Sequence, residues 1–409
     1  MKILQIGATF KDGGPGYTAA IVHEGLIQHG IQSKVFYGSG ASSASEDVIK
    51  YESKFNEFTR RLVMRTIKNF PVTASIQTIL LIKKITSYNP DIIHLRIIHH
   101  AYINYIHLFK FLAKYGKPVV FTLHDMWIMT GGCYHYKKAN CEEFLKSCEK
   151  CPLTKEQMDN SPLFSSIYRK KKEELLLKVS DLYIQAVSEW CLQEVSRSYL
   201  HGRKSFLISN AVDVNVFKPY RERDYFDHLP PSNKIVLGVA TKWSESKGYS
   251  RFCELAKFLG QEYSVCLIGN PPHNQETHPN NLFLLGQQKN RIELAKAYSS
   301  ADVFVHMSSE ETFGMVIAEA ASCGTIVIGF DSTGISEVVR KAKGILVPDG
   351  AVVLISEEVK NVCIKNKNLS EAELEAVRNG FSNLKMQYDH ILMYRSIYAS
   401  EDGISDSHS

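Results

Sequence analysis

Glu311 and Glu319 stand on either side of a predicted helix start, with seven residues between them. Ala301–His306 has the pattern of a buried strand; a loop carrying Glu311 follows, and a helix begins near Gly314 with Glu319 one to two turns inside. The first N–H groups of a helix have no intrahelical partners and lie at the positive end of its dipole. Phe313, Gly314 and Met315 would therefore offer amides to a diphosphate, with Gly314 allowing close approach. Glu311 and Glu319 would then grip hydroxyls on either side of that phosphate. Val316, Ile317, Ala320 and Ala321 surround Glu319, so its carboxylate borders a packed face and needs a partner.

His124 follows the strand pattern Val119–Leu123, at the carboxyl end where an open α/β sheet presents its ligands. A lone histidine there is also a common structural residue. Asp125 either orients His124 or caps the following segment. Gly14-Pro-Gly16-Tyr-Thr-Ala19 fits the dinucleotide fingerprint G-x-G-x-x-A only formally. It lies too far from the first strand, and no acid follows the second strand, at Tyr37-Gly-Ser39, to hold a ribose. A loop in which Gly14 and Gly16 let the backbone approach a donor or acceptor is the better reading.

The elements that must position these residues alternate along almost the whole chain. Strands are predicted at Ile3–Ile6, Lys34–Tyr37, Ile92–Leu95, Val119–Leu123 and Leu182–Val187, with helices at Gly16–His29, Ser75–Ser87 and Tyr102–Lys114. The second half adds strands at Lys234–Val239, Ser264–Ile268, Leu282–Leu285, Val303–His306, Ile326–Ile328 and Ile345–Val347. This is the pattern of parallel α/β sheets covered on both faces. Asn210–Pro231 breaks the rhythm with charged clusters and prolines. The division predicted is a Rossmann-like domain over 1–205, a second over 206–385, and a C-terminal helix in 386–409 that returns to the first domain before a frayed tail.

With 409 residues, 44% of them apolar, the chain can build two or three sizeable cores, which excludes a disordered or collagenous protein. A net charge of +5 is too small an excess for a dedicated nucleic-acid binder. No run approaches the ~18 apolar residues of a spanning helix, and the first residues run straight into a strand without the pattern of a signal peptide. A cytoplasmic location is the default. Four of the nine cysteines, Cys133, Cys141, Cys148 and Cys151, crowd one segment, 131–152. The C-x-x-C pair suits a structural zinc, with His135 able to replace one thiol; free thiols and two disulfides are the alternatives.

Taken in order along the chain, the motifs resemble those of the retaining glycosyltransferases of family 4. They are Gly13-Gly-Pro-Gly16, Thr122-Leu-His-Asp125, Val187-Ser-Glu-Trp190, Ser209-Asn-Ala-Val-Asp213 with Phe217-Lys-Pro219, Lys242-Trp-Ser-Glu-Ser-Lys-Gly248, and Glu-x7-Glu at Glu311 and Glu319. The cysteine segment after Trp127-Ile-Met-Thr-Gly-Gly-Cys133 is similar to the subgroup that builds exopolysaccharides of the colanic-acid type. The resemblance implies the GT-B fold, two Rossmann-like domains with parallel sheets facing a central cleft. It implies a UDP- or GDP-linked sugar as donor and a glycan or lipid-linked acceptor. Glu311 would contact sugar hydroxyls, Glu319 the ribose and His124 the donor sugar, with Asn210, Lys242 and Lys247 among the substrate-binding residues. At Lys242 the family usually has arginine; lysine keeps the charge but loses the bidentate fork. Asp-x-Asp is absent, the nearest approach being Asp213-Val-Asn215, so no catalytic metal or other cofactor is implied.

Residues 55–70 read as a basic amphipathic helix, with Arg60, Arg61, Arg65 and Lys68 beside Phe58, Leu62 and Ile67. Such a helix either lies on an anionic membrane surface or forms a domain helix with a solvated edge. A nucleotide-sugar epimerase and a non-catalytic sugar-nucleotide-binding protein are the rival function classes.

Overall fold

The computed structural model describes residues 1–40, 45–52, 58, 74–99, 102–153, 162–221, 224–272, 278–366 and 368–405. The basic segment 55–70 falls, apart from Phe58, outside the described residues, as does the tail 406–409. Two compact units form: Met1–Ser209 with Met386–Ser409, and Asn210–Lys385.

The first unit is built on a seven-stranded sheet in the order β3-β2-β1-β4-β5-β6-β7. Its strands are β1 (Lys2–Gly7), β2 (Gln32–Tyr37), β3 (Val48–Lys50), β4 (Ile92–Leu95), β5 (Val119–Leu123), β6 (Leu182–Ala186) and β7 (Ser205–Leu207). Every pairing is parallel. Such strands are covered on both faces, which is why β4, β5 and β6 are buried at every position. Helices α1 (Gly13–Gln28), α2 (Ser75–Tyr88), α3 (Tyr105–Tyr115), α4 (Ser165–Leu176) and α5 (Glu189–Arg197) make the crossovers. The strand order reverses between β1 and β4, the point at which doubly wound sheets bind ligands.

The second unit has a six-stranded parallel sheet, ordered β10-β9-β8-β11-β12-β13. The strands are β8 (Lys234–Lys242), β9 (Tyr263–Asn270), β10 (Leu282–Leu284), β11 (Val303–His306), β12 (Val327–Phe330) and β13 (Ile345–Val347). Helices α6 (Tyr249–Leu259), α7 (Arg291–Ser300), α8 (Met315–Ser322), α9 (Thr333–Lys341), α10 (Val352–Lys365) and α11 (Glu371–Gly380) cover it. Its core joins Val236, Phe252, Leu267, Val305, Ile328 and Val359. The order reverses between β8 and β11.

The last helix, α12 (Asn383–Ser405), packs on the first unit through polar contacts as well as apolar ones. Gln387 Nε2 donates to the Ile21 carbonyl at 3.0 Å, in space that Gly25 leaves open: a Cβ there would lie 2.5 Å from Gln387 Cγ. Further along, the Tyr394 hydroxyl meets His94 Nδ1 at 2.5 Å, and the other ring nitrogen of His94 meets Thr122 Oγ1 at 2.5 Å. Among the described residues no helix is long and apolar enough to cross a membrane.

Candidate active site

In the second unit the chemistry gathers where the strand order reverses. After β8 the chain makes a single 3-10 turn, Glu245–Lys247, and then Gly248 in the left-handed region at φ 82°. A Cβ on Gly248 would stand 2.4 Å from the Met307 carbonyl oxygen, so only glycine lets this turn lie against the end of β11. The approach brings Lys247 Nζ to 2.5 Å from Glu311 Oε1. The same oxygen accepts the Ser308 hydroxyl at 3.1 Å. The loop is pinned on its other side, where Glu311 N donates to Thr333 Oγ1 at 3.3 Å and Gly334 N to the Glu311 carbonyl at 3.0 Å.

Three residues beyond Glu311, Gly314 caps α8 at φ 88° with no side chain to accept from the first turn. An uncapped start directs N–H groups and the positive end of the dipole outward. Phe313, before it, is buried against Phe381. Glu319 finds the partner its packed setting demands: the Tyr298 hydroxyl donates to Oε2 at 3.0 Å. Burial raises the Glu319 pKa to about 7, against the Tyr298 hydrogen bond and the Arg291 charge, which lower it. His306, at the end of β11, is held down to about 4, chiefly by burial. Lys242 ends β8 and is exposed. Asn210 is buried, and among the described residues its Oδ1 has no hydrogen-bond partner.

The first unit carries a cavity of about 540 Å³ at its own reversal point. Thr9 follows β1, Arg96 and His99 follow β4, and His124 and Asp125 follow β5; all line it. Arg96 is almost fully buried and donates to Gln5 Oε1 through Nε at 3.1 Å and Nη2 at 2.9 Å. Its Nη1 lies 3.4 Å from His124 Nε2. An arginine only donates, so His124 accepts at Nε2 and carries its proton on Nδ1. Burial, then the Arg96 charge, brings the His124 pKa down to about 3. Asp125 caps rather than orients His124. Its Oδ1 accepts from Trp127 N at 2.9 Å, and Oδ2 lies 2.7 Å from His99 Nε2. Burial opposes its charge, but His99 and the Trp127 N–H hold its pKa at about 2.

The structure departs from the sequence reading at the glycine loop. Gly13 and Pro15 border the cavity, whereas Gly16 is buried with its Cα against Thr9: a Cβ there would lie 2.6 Å from Thr9 Oγ1. Gly14 and Gly16 fall in the first turn of α1, because the helix begins earlier than its apolar spacing indicated. His135 lines the 540 Å³ cavity, not the one bordered by the cysteines. Cys133, Cys141, Cys148 and Cys151 do border a common cavity, but among the described residues no three His, Cys, Asp or Glu side chains stand ready as a metal-ligand set. Arg96, His99, Ser308 and Tyr298 were not anticipated. Arg96 had a signal, since it follows a predicted strand as His124 does; Tyr298 had none, because its partner lies 21 residues away on another helix.

The profile of "Glycosyltransferase Family 4" matches residues 12–216, and that of "Glycosyl transferases group 1" matches residues 221–378. The chain is 22% identical to WcaC of Escherichia coli (strain K12), assigned as a glycosyl transferase of colanic acid biosynthesis, over 97% of this chain and 100% of that one. Sucrose-phosphate synthase from Thermosynechococcus elongatus has a similar structure, with a TM-score of 0.70 and 16% identity over 98% of this chain and 100% of the other. HepE of Anabaena, solved in complex with UDP-glucose, gives a TM-score of 0.62 and 15% identity over 97% and 100%. Two Rossmann-like units with parallel sheets are the GT-B architecture, and with a family profile spanning half of its length the chain belongs to glycosyltransferase family 4.

Proposed function

We propose that the second unit binds a UDP- or GDP-linked sugar and that the sugar passes, with retention of configuration, to a hydroxyl of a glycan or lipid-linked acceptor held by the first unit. The observation that carries this reading is the Lys247–Glu311 pair beside the uncapped start of α8. A diphosphate needs cations and N–H donors, and a sugar needs a carboxylate for its hydroxyls; the turn after β8 and the loop after β11 bring both together. Negative charge grows on the leaving phosphate in an oxocarbenium-like transition state, and fixed donors aimed at that charge lower the barrier. Lys247, Lys242 and the α8 amides would supply them, so transfer requires no metal. Glu319 would accept the ribose hydroxyls, and His124, neutral and protonated at Nδ1, would donate to the sugar.

The similarity to WcaC over the full chain supports a place in bacterial exopolysaccharide or other cell-surface glycan synthesis. The enzyme would then work in the cytoplasm, at the inner face of the plasma membrane when the acceptor is lipid-linked. The test is a panel of UDP- and GDP-sugars, scored for thermal shift and slow donor hydrolysis, with and without EDTA. One nucleotide series should stabilise the protein and be hydrolysed equally well in EDTA. Interconversion of donors without acceptor would instead indicate an epimerase; binding with neither hydrolysis nor transfer would indicate a non-catalytic protein.

A further inference from the structure

Cys133, Cys141, Cys148 and Cys151 border one cavity of about 10 Å³, lined also by Gly131, Tyr136, Glu143, Phe144, Leu153 and Ser165. All four are free thiols in the structure. A space of that size accommodates about one small sphere, hence a single ion and not a cluster or an organic ligand. The Thr130 hydroxyl donates to the Cys133 carbonyl at 2.7 Å, and Gly132 N donates to Thr130 Oγ1 at 3.2 Å, which holds the first cysteine at the cavity.

Charge supplies a second, independent observation. Lys172 is fully buried and Arg169 nearly so, and the charges of both act on Cys148, that of Lys172 on Cys133 as well. Lys172 also donates to the Trp127 carbonyl and lies 3.9 Å from the centre of the Trp127 ring. Arg169 already pairs with Glu173 Oε2 at 2.8 Å, whereas four thiolates on a divalent ion, a centre of net charge −2, would give the buried Lys172 a counter-ion. The chain around the cysteines is held by buried Tyr136, Phe144 and Leu153 and by polar contacts. Ser165 Oγ donates to the Cys148 carbonyl at 2.7 Å and Arg169 Nε to the Phe144 carbonyl at 3.1 Å, while Asn140 and Cys148 are both left-handed.

We propose that these four cysteines form a structural zinc site that closes on the ion. Four thiolates in a tetrahedron select zinc among the common divalent metals, and coordination at ~2.3 Å would draw the sulfurs inward and collapse the cavity. The site fixes Cys133, whose neighbours Tyr134 and His135 line the 540 Å³ cavity of the same unit, so the metal braces that cavity's wall.

The test is elemental analysis of the full chain purified without chelator, beside a Cys148→Ser/Cys151→Ser double variant. About one equivalent of zinc in the wild type, lost in the variant, is the expected result. Should the variant fail to fold, cobalt exchanged into the wild type keeps the proposal testable. It should give cobalt–thiolate charge-transfer bands together with the visible bands of a tetrahedral ion. Less than a tenth of an equivalent of zinc, stoichiometric iron in its place, four titratable thiols in metal-free folded protein, or disulfides found by mass spectrometry would each overturn it.

Discussion

Lys247 Nζ lies 2.5 Å from Glu311 Oε1, so the cation proposed for a phosphate and the carboxylate proposed for a sugar are paired with each other in the structure. Both side chains are partly exposed, and such a pair contributes ~0–1 kcal/mol to stability. Its use is to hold two groups in place in the free protein. On the proposed function, a diphosphate would compete for Lys247 and release Glu311 toward the sugar.

Lys247→Ala should therefore leave the melting temperature almost unchanged while weakening donor use. Loss of a charge-assisted hydrogen bond costs roughly 1.5–3 kcal/mol, which is roughly a 10- to 150-fold rise in the donor KM. Donor titration of initial rates checks this. Full activity at sub-saturating donor would remove Lys247 from the site, and Glu319→Ala should behave in the same way.

Glu319 sits near half-ionisation at neutrality, with a pKa of about 7. The carboxylate is the better acceptor for ribose hydroxyls, so donor affinity should rise as pH increases through 7. Tyr298→Phe deletes the hydrogen bond that favours the carboxylate. The pKa then climbs, and the inflection in kcat/KM for donor moves to higher pH. A profile shifted downward, or not at all, counts against Tyr298 as the positioning residue for Glu319.

His124, held near 3, stays neutral throughout the working range. Its ring resonances should not titrate between pH 5 and pH 8, and no inflection in the rate profile should belong to it. His124→Ala should lower kcat, and His124→Gln, which keeps a donor, should retain more activity. An NMR midpoint near the ordinary histidine value of ~6.5 would contradict the assignment.

The basic segment 55–70 is expected to attach the protein to anionic lipid. Flotation with anionic vesicles at low salt should carry the wild type upward, and a variant with Arg60, Arg61 and Arg65 replaced by glutamine should stay below. Protein that remains wholly in the soluble fraction contradicts the idea.

Where the chemistry depends on neighbours in sequence, it was legible. The strand predicted at Val303–His306 coincides with β11, and Glu311 and Glu319 fall on a loop and a helix because an eight-residue α8 follows directly. Lys247 before Gly248 reads as a turn, yet only the close approach to Met307 shows why the turn meets Glu311. Two strands escaped notice, Val48–Lys50 and Ser205–Leu207, each three residues long and at a sheet edge, too short for periodicity to show. Gly16 was misjudged because a glycine that gives room to a ligand and one that gives room to Thr9 look alike in sequence. The Arg96–Gln5 and Tyr298–Glu319 contacts join residues far apart in the chain, and no local pattern encodes them.

The central claim is retaining transfer from a nucleotide sugar, and it is tested most directly by following the anomeric proton of the first-formed product by NMR. With an α-linked donor that the protein accepts, the account predicts that the α signal of the product rises as the nucleoside diphosphate is released, and that Lys247→Ala slows both together. A product that first appears with β configuration, or nucleoside diphosphate release at the wild-type rate in Lys247→Ala, would contradict it.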